Sequence, residues 1–147
     1  MKVIFLDVDG VLNSDSYFER TKNEKNTRDE LDENNILVLK SIIDETNALV
    51  VVTSTWKELK IYSLLKETLS KYNISIYDKT IHLNYQRGNE IRQYLSTHNI
   101  DNFIIIDDEV FPDFNNLTEY LIKTDFYNGG LTNNHKEKSI KLLNKTR

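Results

Sequence analysis

Three continuous apolar runs organise the chain: Val3 to Leu6, Ala48 to Val52, and Phe103 to Ile106. A short uninterrupted apolar run bounded by polar residues is how a strand buried on both faces of a parallel sheet reads. Between the runs, apolar positions recur at helical spacing: Ile36, Leu39, Ile42 and Ile43 in one segment, Leu59, Leu65 and Leu69 in a second, Ile91 and Leu95 in a third. Strands alternating with helices predict an α/β fold, a doubly wound parallel sheet in three α/β/α layers forming one domain over residues 1–147. Tyr120 to Ile122 offers a further strand. Thr132 has the character of an N-cap for a last helix running to about Leu143, with Ile140 and Leu143 inward. Residues 13–32 break the pattern. They are polar and weakly periodic, with Tyr17 and Phe18 near the start and Arg20, Lys22, Lys25 and Arg28 among acids. They read as a solvated loop or hairpin, with a substrate-contacting flap as the alternative.

Each apolar run ends in residues capable of chemistry: Asp7-Val8-Asp9-Gly10 after the first, Thr53-Ser54 after the second, Asp107-Asp108 after the third. In open α/β sheets ligands bind beyond the carboxyl ends of the strands, where all three fall. Two carboxylates two residues apart, followed by a glycine that permits a sharp turn, can both approach one phosphate. A calcium loop does not fit, because its fifth position would be Val11 and the glycine comes two places early. Asp107 and Asp108 are adjacent like charges that disfavour joint ionisation unless a cation is present.

Composition narrows the functions. Hydrophobic residues at 39% and charged residues at 29% are those of an ordinary globular chain, which argues against disorder and a membrane span. The formal charge of −4 equals the contribution of Asp7, Asp9, Asp107 and Asp108, so a generally basic, nucleic-acid-seeking surface is not indicated. The absence of cysteine removes thiolate metal sites and cysteine nucleophiles and asks for no oxidising compartment. The apolar start is too short for a signal peptide, and the cytoplasm is the expected location.

Phe5-Leu6-Asp7-Val8-Asp9-Gly10-Val11 resembles the first motif of the haloacid dehalogenase (HAD) superfamily. The resemblance implies a Rossmann-like fold in which Asp7 is the nucleophile and Asp9 the general acid and base. The remaining motifs follow in order. Thr53, after Val50-Val51-Val52, matches the hydroxyl of the second motif, with Ser54 as the alternative by a slip of one. The cation of the third motif is matched by Arg87 in Gln86-Arg87-Gly88-Asn89-Glu90-Ile91, or by Lys79, which also precedes that helix. Ile104-Ile105-Ile106-Asp107-Asp108 matches the fourth. The set implies a magnesium ion held by Asp7, the backbone carbonyl of Asp9 and Asp108, with Asp107 in support. It also implies a catalytic group of Asp7, Asp9, Thr53 and Arg87, beside substrate-binding positions at Gly10, Ser54 and Lys79. More narrowly, Ser54-Thr55-Trp56-Lys57, Arg87 to Ile91, the double Asp and Gly130-Leu131-Thr132 resemble the HAD domain of Swiss Army Knife RNA repair proteins. That group often has Arg where Lys57 stands. Trp56 reads as a packing residue rather than a substrate platform.

The implied activity is a magnesium-dependent phosphomonoesterase working through an aspartyl-phosphate. A small-molecule phosphatase and an inactive phosphate-binding module are the alternatives. Superfamily members commonly carry a cap domain after the first or second motif, but here 38 residues separate Gly10 from Leu49 and Thr55 to Gln86 is 32. Below about 40 residues a chain seldom folds unaided, so no cap is expected. An open site suits phosphates on large groups, including a nucleic-acid end that Tyr17, Phe18 and the cations from Arg20 to Arg28 could stack on and steer.

Overall fold

The three apolar runs become the centre of a five-stranded sheet. They form β1 (Lys2–Leu6), β2 (Leu49–Val52) and β4 (Asn102–Asp107), flanked by β3 (Ile76–Lys79) and β5 (Leu121–Lys123), in the order β3-β2-β1-β4-β5. All neighbours are parallel. The computed structural model describes residues 1–24 and 30–146, the side chain of Leu59 excepted. Lys25, Arg28 and the inward setting expected of Leu59 therefore lie outside the described residues.

Five helices accompany the sheet: α1 (Asp15–Thr21), α2 (Glu33–Thr46), α3 (Leu59–Ser70), α4 (Arg87–Thr97) and α5 (Asn133–Leu143). Successive side chains on a strand point to opposite faces. Ile4, Leu6, Val50, Val52, Ile104 and Ile106 accordingly pack against Ile36, Leu39 and Ile42 of α2, Leu65 and Leu69 of α3, and Leu143 of α5. Val3, Phe5, Val51, Phe103 and Ile105 pack against Ile91 and Tyr94 of α4, with Phe114 and Leu117. Covering both faces is what makes the strands continuously apolar, and the three α/β/α layers are those expected.

Two elements depart from the sequence expectation. The stretch taken for a loop, hairpin or flap contains α1, started by Ser14, whose Oγ accepts the Tyr17 N–H at 3.1 Å. Seven residues are too few for a helical period to show. The edge strand β3 was not expected at all, since Ile76-Tyr77-Asp78-Lys79 has one half-buried apolar residue and no apolar run. Elsewhere the agreement is close. Strand β5 begins one residue after the expected start, and Thr132 precedes α5, its backbone N–H donating to His135 Nδ1 at 3.0 Å. Among the described residues neither connection holds a separate cap domain: the first carries α1 and α2, the second a 3-10 turn (Thr55–Lys57), α3 and β3. No helix among them is long and apolar enough to cross a membrane.

Candidate active site

Strand register assembles the site. Leu6 lies beside Val52 on one side and Ile106 on the other, so the next residue of each strand shares one edge. The backbone continues the pairing: Asp7 N–H donates to the Ile106 carbonyl at 3.0 Å and Thr53 N–H to the Leu6 carbonyl at 2.9 Å. Asp7, Thr53 and Asp107 thus stand abreast and buried, at 7%, 1% and 0% exposure. Carboxylate oxygens of Asp7, Asp107 and Asp108 come within 4.8 Å of one another. Gly10 makes room for the third acid. Its φ is +80°, and a Cβ there would lie 2.2 Å from Asp108 Oδ2, so any side chain would displace that carboxylate.

Arg87 joins this cluster from the first residue of α4. Its Nη1 lies 2.8 Å from Asp107 Oδ2 and 3.3 Å from Asp7 Oδ1, and its guanidinium sits 4.7 Å over the Phe111 ring. The helix start is fixed by Asp113, whose carboxylate accepts the N–H groups of Gly88 and Asn89 at 3.0 and 2.9 Å. Gly88 is required there, as a Cβ would lie 2.1 Å from the Asp113 carbonyl oxygen. Lys79, the other candidate cation, is not brought to the acids. It stands on β3, donates to the Lys57 carbonyl at 2.9 Å and covers the Tyr62 ring at 4.5 Å.

Lys57 has a role that sequence reasoning left open. It is 3% exposed, and its Nζ meets Glu90 Oε1 at 3.0 Å, Thr80 Oγ1 at 3.1 Å and the carbonyls of Thr53 and Ile81 at 3.2 and 3.1 Å. Glu90 also accepts the Leu83 N–H at 2.9 Å and lies 3.8 Å from Arg87 Nε. Burial lowers the Lys57 pKa while the bond to Glu90 opposes that shift. The spacing of Arg87 and Glu90 on one helix face was a signal for part of this network. The arrival of Lys57 from 33 residues upstream was not legible.

Asp9 is set differently from Asp7. Its carboxylate is exposed and held by two donors, Asn13 Nδ2 at 2.8 Å and the Trp56 indole N–H at 3.1 Å. Asn13 Oδ1 in turn accepts the Gly10 N–H at 2.9 Å. Trp56 is buried in the core, as expected of a packing residue, and also orients Asp9. The two hydroxyls after β2 separate clearly. Ser54 Oγ accepts the Trp56 N–H at 3.1 Å and caps the 3-10 turn Thr55–Lys57, whereas Thr53 Oγ1 is buried with no hydrogen-bond partner among the described residues.

The electrostatics are those of a site short of positive charge. Burial, then the neighbouring Asp107, raises the Asp7 pKa well above the usual carboxylate range against the pull of Arg87. Burial raises Asp107 to about 6, with Arg87 opposing and Asp108 adding. Three clustered oxygen donors of like charge, two of them buried, fit a hard divalent cation. Magnesium is the ion that HAD proteins usually use.

A pocket of ≈ 330 Å³ opens beside Thr53 and Arg87, walled by His82, Tyr85, Glu109 and Phe111. A larger one, ≈ 530 Å³, lies by Arg20, Asp32, Asn35 and Lys136 and has neither Thr53 nor Arg87 in its wall. Residues 3–135 match the family described as the HAD domain in Swiss Army Knife RNA repair proteins. Neither a curated protein nor a solved structure matches the chain.

Proposed function

We propose, from the premise that the chain belongs to the family of HAD domains in Swiss Army Knife RNA repair proteins, a group of phosphohydrolase type, that it is a magnesium-dependent phosphomonoesterase acting through Asp7. The observation that carries the reading is the bridge of Arg87 across Asp7 and Asp107 at 3.3 and 2.8 Å, beside the unpartnered hydroxyl of Thr53. A buried carboxylate, a cation against it and a buried donor without an acceptor together match the needs of a phosphate dianion under nucleophilic attack.

In this proposal an Asp7 oxygen bonds to phosphorus as the bond from phosphorus to the ester oxygen breaks. Asp9, as the general acid, delivers a proton to that oxygen. Water then attacks the phosphoryl group of the aspartyl-phosphate. Asp9 takes the proton, the bond from phosphorus to Asp7 breaks, and inorganic phosphate leaves. Asn13 and Trp56 hold the Asp9 carboxylate in one orientation through both transfers. Thr53 Oγ1 donates to a non-bridging oxygen, and Arg87 offsets repulsion between carboxylate and phosphate. Asp7, Asp107 and Asp108 would hold magnesium, which when bound supplies positive charge against the phosphate.

The absence of a cap among the described residues supports substrates in which the phosphate is carried by a large group, a nucleic-acid end among them. A cytoplasmic setting is part of the proposal. Asp7→Asn tests it: the amide fills nearly the same volume and cannot act as the nucleophile. Turnover of aryl and nucleotide phosphates should fall by at least about 10³-fold with an unchanged circular dichroism spectrum. Wild-type turnover in that variant would remove Asp7 from the mechanism, and no magnesium-dependent phosphate release from the unaltered protein would leave a binding module.

A further inference from the structure

The pocket beside Arg87 has a wall that phosphate chemistry alone does not use. Thr53 and Arg87 are both in its lining, so it adjoins the place proposed for the phosphate. At the mouth stands Tyr85, 89% exposed, the most exposed large hydrophobic residue among those described. Its backbone and that of Asn84 adopt positive φ, 63° and 33°, a conformation unfavourable for side chains other than Gly and Asn. A large ring is thus held in solvent by a strained turn next to a reactive site. Among the described residues no ring or cation packs against it, whereas Phe111, also in the lining, is already covered by Arg87 and Phe114. Tyr17 and Phe18 differ again, being half-buried and in contact with each other, with Phe18 near Phe126.

Charge restricts what can enter. Arg87 is engaged by Asp107, Lys57 by Glu90, and His82 lies 3.4 Å from Glu58. Glu109 lines the pocket with its carboxylate in no ion pair among the described residues. A second phosphate would meet that negative charge, while a neutral group bearing hydroxyl or amino donors would find an acceptor. A volume of ≈ 330 Å³ lies at the lower end of small-ligand sites and suits a unit of nucleoside size.

We propose that this pocket receives the nucleoside that carries the scissile phosphate, with its base stacked on Tyr85 and its donors toward Glu109. The proposal rests on the phosphomonoesterase reading for the position of the phosphate, and it names Tyr85 as the residue that sets specificity. A free nucleotide and the terminal nucleotide of a chain share this chemistry. Stacking of a base on an aromatic ring is sequence-tolerant and strong enough to shift affinity by about tenfold or more.

The experiment is calorimetric binding to the full chain carrying Asp7→Asn, in magnesium, which needs no turnover. The probes are a nucleoside monophosphate, an oligonucleotide ending in the same phosphorylated nucleotide, and glycerol phosphate. The nucleoside monophosphate should bind at least about tenfold more tightly than glycerol phosphate. Adding Tyr85→Ala should remove about tenfold of that preference, and Tyr85→Phe should retain it. The oligonucleotide binding more tightly than the mononucleotide assigns the pocket to a polymer end, and equal binding assigns it to the free nucleotide. Equal affinities for nucleoside monophosphate and glycerol phosphate overturn the proposal, as does a preference that Tyr85→Ala does not reduce. Turnover by the unaltered protein is read separately. Its failure would sink the phosphatase reading while a Tyr85-dependent preference upheld the pocket.

Discussion

Two groups of buried charge meet at Arg87, and they differ in whether their charges balance. On one side Asp7, Asp107 and Asp108 crowd their carboxylates within 4.8 Å, with Arg87 as the one cation in contact among the described residues. On the other, Lys57 and Glu90 pair one to one at 3.0 Å, both almost wholly buried, and the ammonium has more oxygen neighbours than hydrogens to give. Burial pushes the Asp7 and Asp107 carboxyls up, Asp107 to about 6, because the folded chain offers them too little positive charge. The second group is complete without a ligand. The acidic side is therefore short of positive charge, as the proposed metal site requires, and the paired side is scaffold that fixes where Arg87 stands.

The contrast can be broken most forcefully at Lys57. Lys57→Met strands the Glu90 carboxylate, and removing one partner of a buried pair should destabilise the fold by about 3 kcal/mol. That is the low end for such changes, because Arg87 Nε remains 3.8 Å from Glu90. Urea denaturation measures it, and adding Glu90→Gln should recover part of the loss. Removal from the acidic side has the opposite sign. Asp7→Asn, proposed above to end turnover, should leave the melting temperature of the metal-free protein unchanged or raised. If Lys57→Met were as well tolerated as Asp7→Asn, the division between scaffold and binding group would be wrong.

A middle-sized effect belongs to Asp108. Asp108→Asn removes a ligand charge, and the magnesium concentration for half-maximal phosphatase rate should rise by at least about tenfold. The same change relieves repulsion in the metal-free state, so scanning calorimetry should show a melting temperature no lower than that of the unaltered protein. An unmoved magnesium curve would put the ion elsewhere.

The smallest effect is on pH. With Asp107 raised from 3.8 to about 6, the folded metal-free protein keeps a proton that the unfolded chain has already released. The contribution of this group to stability is then greatest below about pH 4 and is lost as the pH rises through about 6. The melting temperature of the metal-free protein, compared with that of Asp107→Asn across about pH 4 to 7, should fall relative to the variant as the pH rises. Magnesium should restore more stability at the upper end, where the carboxylates are ionised. A parallel pair of curves would mean that Asp107 titrates normally.

Much of this was legible in the chain. Val3 to Leu6, Val50 to Val52 and Phe103 to Ile106 announce parallel strands, and parallel strands share a direction, so Asp7, Thr53 and Asp107 had to arrive at one edge. The place of Arg87 at a helix start was offered by the resemblance to the third HAD motif, with Lys79 as the alternative. The edge strand β3 and the short helix α1 escaped because neither carries enough apolar residues to set a period. Gly88 and Asp113 escaped for another reason, since a cap supplied from 25 residues away leaves no local spacing to recognise.

Sequence alone thus determined the order of the motifs, the layers around the sheet and the acidic character of the edge, because hydrophobic period and strand direction are local properties that burial turns into geometry. The tertiary structure decided between residues that local pattern treats alike. Thr53 rather than Ser54 has the unpartnered hydroxyl, because Ser54 is spent capping the turn at Trp56. Arg87 rather than Lys79 meets Asp7, because β3 carries Lys79 onto the Lys57 carbonyl and the Tyr62 ring. Lys57 became scaffold because a desolvated ammonium must find its counter-charge wherever the fold supplies one, and here α4 supplied Glu90.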